Sequence, residues 1–231
     1  MVFEGERTMK IAAINGSPKG DASNSREVIS IIQSMSLQEA EWTVVTQIRE
    51  ENNLDSFSFD ALFAADVLII AFPLYVDGMP ASLMKFLSQY AKGVGAFRKN
   101  MDSQRVFAVA NCGFYEGIQN ELALEMTAHF CAEAGLEWCG GVGIGTGEMI
   151  LGIQNVPLEA GIRKPVIAAL AALASAVDQK GRPLEKNIYT QHGFPWILYK
   201  LAGEMGWRSR IKKNGLAPRD INARPLLDAL R

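Results

Sequence analysis

The segment running from Ile11 to Ser25, an apolar run Ile-Ala-Ala-Ile followed by Asn15-Gly16-Ser17-Pro18-Lys19-Gly20-Asp21-Ala22-Ser23-Asn24-Ser25, constrains this chain more than any other. The run stops at a loop of Gly, Ser, Pro and Lys and then enters an amphipathic helix. In a parallel α/β sheet this arrangement aims backbone N–H groups, hydroxyls and a helix N-terminus at one point, which then binds an anion, usually a phosphate. Two familiar phosphate loops do not fit. Counted from Gly16, the kinase-type loop needs glycine where Asp21 stands, and the dinucleotide fingerprint needs glycine where Pro18 stands. The same segment also reads as a plain strand-to-helix turn, with Asn24 as N-cap and Glu27 as its capping-box partner. The two readings are compatible, because a cap and an anion site share a helix end.

A loop rich in hydroxyls and poor in glycine suits a monophosphate held by side chains as well as backbone. Ser17, Ser23 and Ser25 offer O–H donors, Asn24 an N–H donor and Lys19 a charge. Flavin mononucleotide (FMN) is the common cofactor that ends in a single phosphate.

Strands and helices alternate along the chain. Apolar or β-branched runs at residues 9–14, 42–46, 67–71, 106–110 and 136–144 predict five strands. Helical stripes separate them. The first is Val28, Ile29, Ile31, Ile32 and Met35, and the second, opened by Pro80, is Leu83, Phe86, Leu87 and Tyr90. Ile118, Leu122, Met126 and Phe130 mark a third, and an Ala-rich helix covers residues 165–177. The pattern predicts an α/β fold, a three-layer sandwich whose parallel sheet has the flavodoxin-like order 2-1-3-4-5 and helices on both faces, over residues 9–180. In such sheets ligands bind past the carboxyl ends of the strands. The segments Asn15–Ser25, Phe72–Pro80, Asn111–Gly117 and Gly145–Met149 should therefore line one crevice.

Each of the later segments has its own chemistry. In Pro73-Leu74-Tyr75-Val76-Asp77-Gly78-Met79-Pro80 the apolar side chains can cover a planar ring, and Gly78 lets backbone amides approach it. Asn111-Cys112-Gly113-Phe114 puts glycine and an aromatic beside a strand end, which suits backbone donors directed at the pyrimidine edge of a flavin. No histidine lies near Cys112 in sequence, so a nucleophilic thiol is disfavoured. Gly140 to Gly147 is glycine-rich but fails the dinucleotide spacing, and reads as a strand end approached by a ligand or a partner chain. Glu148 reads as a solvated carboxylate.

With these segments in hand, the chain resembles the NADPH-dependent FMN reductase family. The resemblance rests on Asn15-Gly16-Ser17-Pro18-Lys19 with Ser23-Asn24-Ser25, on Pro73-Leu74-Tyr75 with Gly78-Met79-Pro80, and less specifically on Cys112-Gly113-Phe114. It covers roughly residues 9–150. It implies an enzyme with FMN as cofactor and NAD(P)H as hydride donor, reducing a quinone, flavin, nitro- or azo-aromatic. The phosphate would sit on Ser17, Pro18, Lys19, Ser23, Asn24 and Ser25. The ring would lie along Pro73, Leu74, Tyr75, Val76, Gly78, Met79, Asn111, Cys112, Gly113 and Phe114. A homodimer is also implied. Arginine is common in that family where Lys19 stands, and lysine keeps the charge but not the bidentate fork. An electron carrier of flavodoxin type and a flavin-free interaction protein are the alternatives. Carriers of that type are usually strongly acidic, whereas this chain has a net charge of −2.

Three cysteines without Cys-x-x-Cys spacing argue against a disulfide framework or metal site and for a reducing cytoplasm. No run of eighteen apolar residues predicts a membrane span, and Met1–Arg7 lacks the apolar core of an export signal. Residues 181–231 form a basic, aromatic extension with ten Lys and Arg against four Asp and Glu. Its basic residues are mixed with Trp196, Ile197, Leu198, Leu201 and Trp207, which suits a packed segment better than a nucleic-acid surface. Pro195 to Met205 predicts a helix that ends at Gly206 and packs on the core or on a dimer partner.

Overall fold

Alternate residues of the central strands enter two different cores. Ile11, Ala13, Val67, Ile69, Ala71, Phe107 and Val109 join one apolar cluster, while Ala12, Ile14, Leu68, Ile70, Phe72, Val106, Ala108 and Ala110 join the other. With side-chain period two, a strand apolar at every position has to be covered on both faces. The computed structural model shows this arrangement, and it describes residues 8–36, 39–47, 57–179, 181–217, 219–220 and 223. The leading segment 1–7, read above for an export signal, lies outside the described residues.

The strands are β1 (Met9–Asn15), β2 (Ala40–Thr46), β3 (Val67–Pro73), β4 (Arg105–Asn111), β5 (Glu137–Ile144) and β6 (Ile188–Thr190). All pairings are parallel and the order is β2-β1-β3-β4-β5-β6. The order expected for the first five strands is present, but the sheet has six strands, not five. The sixth escapes a pattern search because three residues, Ile188-Tyr189-Thr190, are too few to show a period.

Helices α1 (Asn24–Met35), α2 (Asp60–Phe63), α3 (Ala81–Phe97), α4 (Glu121–Ala134), α5 (Met149–Gly152) and α6 (Lys164–Asp178) fill the crossovers. Residues of α1 and α6 join the first cluster, and residues of α3 and α4 join the second. Gly135, at φ 69°, closes α4 in the left-handed conformation that glycine adopts without strain. The chain divides into two compact units, residues 1–193 and 194–231. The second contains α7 (Trp196–Lys213). This helix runs through Gly203 and Gly206, so the expected stop at Gly206 is corrected. A helical glycine costs only about 1 kcal/mol against alanine. The true end is Asn214-Gly215, where Leu216 N–H donates to Ile211 C=O (3.1 Å) and Gly215 N–H to Lys212 C=O (3.0 Å).

Gly143 and Gly145, at the end of β5, mark close approach by the protein's own chain. A Cβ on Gly143 would stand 2.8 Å from Gly117 C=O and from the Tyr189 ring, and one on Gly145 would stand 2.2 Å from Tyr115 C=O. Gly117 is wedged in turn between β5 and β6, where a Cβ would lie 2.4 Å from Thr190 C=O and 2.6 Å from Gly143 C=O. Backbone atoms cannot swing aside as a side chain can. Gly117→Ala should therefore lower the unfolding free energy by about 1–3 kcal/mol, read as a lower urea midpoint. Gly152→Ala, with nothing within 4 Å of its Cβ, should leave the midpoint unchanged or raise it.

Candidate functional site

Asn15 ends β1 fully buried and organises the loop that follows. Its amide donates to Gly20 C=O (2.9 Å), while its carbonyl accepts from Ser17 N–H (3.2 Å) and Ser23 Oγ (3.3 Å). Asp21 ties the loop to β2 by accepting from Thr46 Oγ1 (2.6 Å). The cap of α1 is Ser23 and not Asn24: Ser23 is extended (φ −129°, ψ 153°) and its Oγ accepts from Arg26 N–H. That shifts Glu27 one position too far for a capping box, and Asn24 Oδ1 instead accepts from Leu151 N–H (3.2 Å).

Asn111 plays the corresponding part at the end of β4. Its amide donates to Ser25 Oγ (3.1 Å) and Phe72 C=O (3.0 Å), and its own C=O accepts from Leu74 N–H (2.8 Å). The first, third and fourth crossover loops thus meet at one cavity of about 90 Å³. Ten of the expected residues line it: Ser17, Lys19, Asn24, Ser25, Pro73, Leu74, Tyr75, Asn111, Cys112 and Gly113. Gly147 and Glu148 complete the lining; sequence reading placed their loop in the crevice without selecting them as binding residues.

The remaining expected residues lie elsewhere. Pro18 is half-buried in the first loop outside the lining, and Ser23 is buried in the cap. Met79 is buried in the core on the α3 and α4 side. Phe114 is 55% exposed, and Val76 is fully exposed at the tip of a tight turn. In that turn Tyr75 N–H donates to Gly78 C=O (2.9 Å) and Gly78 N–H to Tyr75 C=O (3.1 Å). Gly78 sits against Met126, whose Sδ would be 3.2 Å from an added Cβ.

The hydrogen-bond ledger of the cavity decides its chemistry. Ser17 Oγ accepts from Lys19 N–H and Ser25 Oγ accepts from Asn111, so both hydroxyl protons lack an acceptor among the described residues. The Asn24 amide N–H groups are equally uncommitted among the described residues, and Lys19 brings a positive charge. Ser23 differs, because its proton already goes to Asn15. Three free donors and a cation around a cavity of this size can receive an anion. The Cys112 thiol is pushed up by burial. It stays protonated and is a poor nucleophile.

The fifth-strand loop is stapled to its neighbours. Thr146 N–H donates to Phe114 C=O (2.5 Å), Gly147 N–H to Cys112 C=O (2.6 Å) and Gly145 N–H to Thr190 C=O (2.8 Å). Thr146 has φ 53°, strained for a β-branched residue. His192 holds it there: Nδ1 lies 2.9 Å from Thr146 Oγ1, which also accepts from His192 N–H (3.0 Å).

Residues 9–140 match a family described as having a flavodoxin-like fold. No curated protein matches the chain. Among solved structures, the chain is similar to a putative quinone reductase from Klebsiella pneumoniae, with 14% identity, a TM-score of 0.53 and coverage of 76% of this chain and 87% of that one. It is similar to an NADH:FMN oxidoreductase in its apo form, with 16% identity, a TM-score of 0.52 and coverage of 75% and 89%. The third is an NAD(P)H:quinone oxidoreductase from Methanothermobacter marburgensis, with 14% identity, a TM-score of 0.51 and coverage of 74% and 97%. At these identities the likeness is one of fold.

Two predictions follow from local geometry. Val76 (φ 48°) and Asp77 (φ 59°) both hold the left-handed conformation, which costs a β-branched residue most. Val76→Asn should stabilise the protein by about 0.5–1 kcal/mol, seen as a higher melting temperature. Burial, with the Arg163 charge second, depresses His192 from 6.5 to about 4. Between those values the unfolded chain binds a proton that the folded protein does not, so stability falls as pH drops from 6.5 to 4. The loss, on the order of 3 kcal/mol, should be visible in urea unfolding at stepped pH and smaller in His192→Asn.

Proposed function

This chain belongs to the flavodoxin-like fold family, and from that premise we propose that it is an FMN-dependent oxidoreductase. It takes hydride from NAD(P)H and reduces a small acceptor: a quinone, a free flavin, or a nitro- or azo-aromatic. The observation that carries this reading is the cavity at the carboxyl edge of the sheet, which gathers three uncommitted donors and the Lys19 charge beside Glu148. Ser17, Asn24, Ser25 and Lys19 suit one phosphate, and Pro73, Leu74, Tyr75, Cys112 and Gly113 extend the same cleft with apolar side chains and backbone. A cavity of 90 Å³ takes a phosphate but not a three-ring heterocycle. The ring of a flavin would therefore lie outward along the Tyr75–Gly78 turn and the Gly113–Phe114 loop.

FMN, when bound, supplies a ring that accepts hydride and gives electrons up to an acceptor. The chain's residues bind and orient it. Lys19 would offset the charge of the phosphate, and the Ser17 and Ser25 hydroxyls and the Asn24 amide would hydrogen-bond its oxygens. Exposed Tyr75 and Phe114 leave an apolar face open to a nicotinamide and then to the acceptor. Folds of this kind include an NADH:FMN oxidoreductase and an NAD(P)H:quinone oxidoreductase, which supports this choice of chemistry. The reading includes a homodimer in a reducing cytoplasm, in keeping with three free, buried cysteines.

The test is the visible spectrum of the FMN-loaded protein. NADPH or NADH added without oxygen should bleach the flavin rapidly, and a quinone should restore the colour. A protein that cannot be loaded with FMN, or whose flavin stays oxidised, would refute the enzyme. Ser17→Ala with Asn24→Ala removes two donors to a charged group and should weaken FMN binding by about 100-fold or more. Riboflavin, which lacks the phosphate, should bind the original protein and the variant equally weakly.

A further inference from the structure

Charge is segregated in this chain on a scale that the flavin site does not require. Between Arg105 and Arg163 there are seven carboxylates and no lysine or arginine. That stretch holds two of the cavity loops and all of α4. The residues after 193 are the reverse, with eight Lys and Arg against three Asp and Glu.

Each of these regions also carries an exposed apolar surface. Ile118, Leu122 and Met126 recur at steps of four and stand on one exposed face of α4 and the turn before it. Met126 touches Gly78, so this face continues into the fully exposed Val76 turn, and Phe114 extends it to the cleft. Exposed Asp77, Glu116, Glu121 and Glu125 rim it. On α7, Trp196, Ile197, Leu201, Met205 and Trp207 are each at least half exposed, and no residue of the helix is buried. Its apolar side chains surround the first three turns, and Arg208, Arg210, Lys212 and Lys213 crowd its last two. A helix apolar on all sides is stable in water only when covered. The surface that suits it is apolar and acid-rimmed, as the α4 face beside the cleft is.

We propose that α7 of a second copy of this chain docks beside that mouth, over the Ile118–Leu122–Met126 face, with its basic end against the acidic rim. Docking is reciprocal in a two-fold dimer, so each copy places its helix beside the other's mouth. The partner's helix then stands beside the cleft, where its arginines and lysines offset a rim that would repel a dinucleotide phosphate. This last consequence rests on the flavin reading; the docking does not.

Charge reversal at surface positions tests the contact without disturbing either core. Sedimentation of the full chain, without flavin or nucleotide, should give twice the chain mass at about 10 μM, a concentration usual for specific dimers. Glu121→Lys with Glu125→Lys, and separately Arg208→Glu with Arg210→Glu, should each sediment as monomers. An equimolar mixture of the two variants should return to twice the chain mass. In the mixed pair each reversed surface faces its new complement. A monomeric parent protein would overturn the proposal, and so would single variants that stay dimeric. A mixture that stays monomeric would overturn the pairing of α7 with the α4 face. Vesicles with anionic lipid that bind the parent protein and not the Arg208/Arg210 variant, with no change of mass in solution, would assign the helix to a membrane surface instead.

Discussion

Two buried asparagine amides hold the carboxyl edge of the sheet together, and the cavity exists because of them. Asn15 closes the first loop on itself, and Asn111 joins the start of α1 to the end of β3. Each is a fully or nearly fully buried polar group, a costly choice unless its hydrogen bonds are made. Because Asn111 satisfies the lone pair of Ser25 and Lys19 N–H that of Ser17, the hydroxyl protons are left over. The loop that looks rich in donors by composition becomes, through this bookkeeping of partners, a set of three donors with a shared direction of use.

The other side of the cleft depends on the opposite device, the absence of side chains. Gly117, Gly143 and Gly145 let three backbone segments pack closer than any Cβ allows. Thr146 then has to turn into the left-handed region, held by His192. The strained Val76–Asp77 turn stands across the cleft. Strain of this kind persists where the surroundings over-determine the backbone, and it gathers at ligand sites. Here it flanks the donor cavity on two sides.

Charge is segregated along the chain between this edge and the residues after 193. The long stretch without a basic residue includes two of the cleft loops and α4, and eight Lys and Arg follow Gly193. None of the described helices is long and apolar enough to cross a membrane. The exposed indoles and aliphatic side chains of α7 are the surface that the proposed docking covers.

By itself the sequence determined the layer architecture and the position of the cleft. Runs apolar at every residue can only be strands covered on both faces, and Gly-Ser-Pro-Lys after the first of them can only be a loop before a helix. It also named ten of the twelve residues that line the cavity, because ligands of parallel sheets meet the loops at their carboxyl ends. What only the tertiary structure decided depends on contacts between distant segments. β6 has too short a pattern to be read and forms because β5 offers a free edge. Gly147 and Glu148 reach the cavity because Thr146 N–H donates to Phe114 C=O and Gly147 N–H to Cys112 C=O, contacts that no local motif encodes. Ser23, grouped by composition with the phosphate donors, gives its proton to Asn15 and its lone pair to the helix. A residue type states which bonds a side chain can make, and the neighbours that folding brings to it settle which of those bonds remain for a ligand.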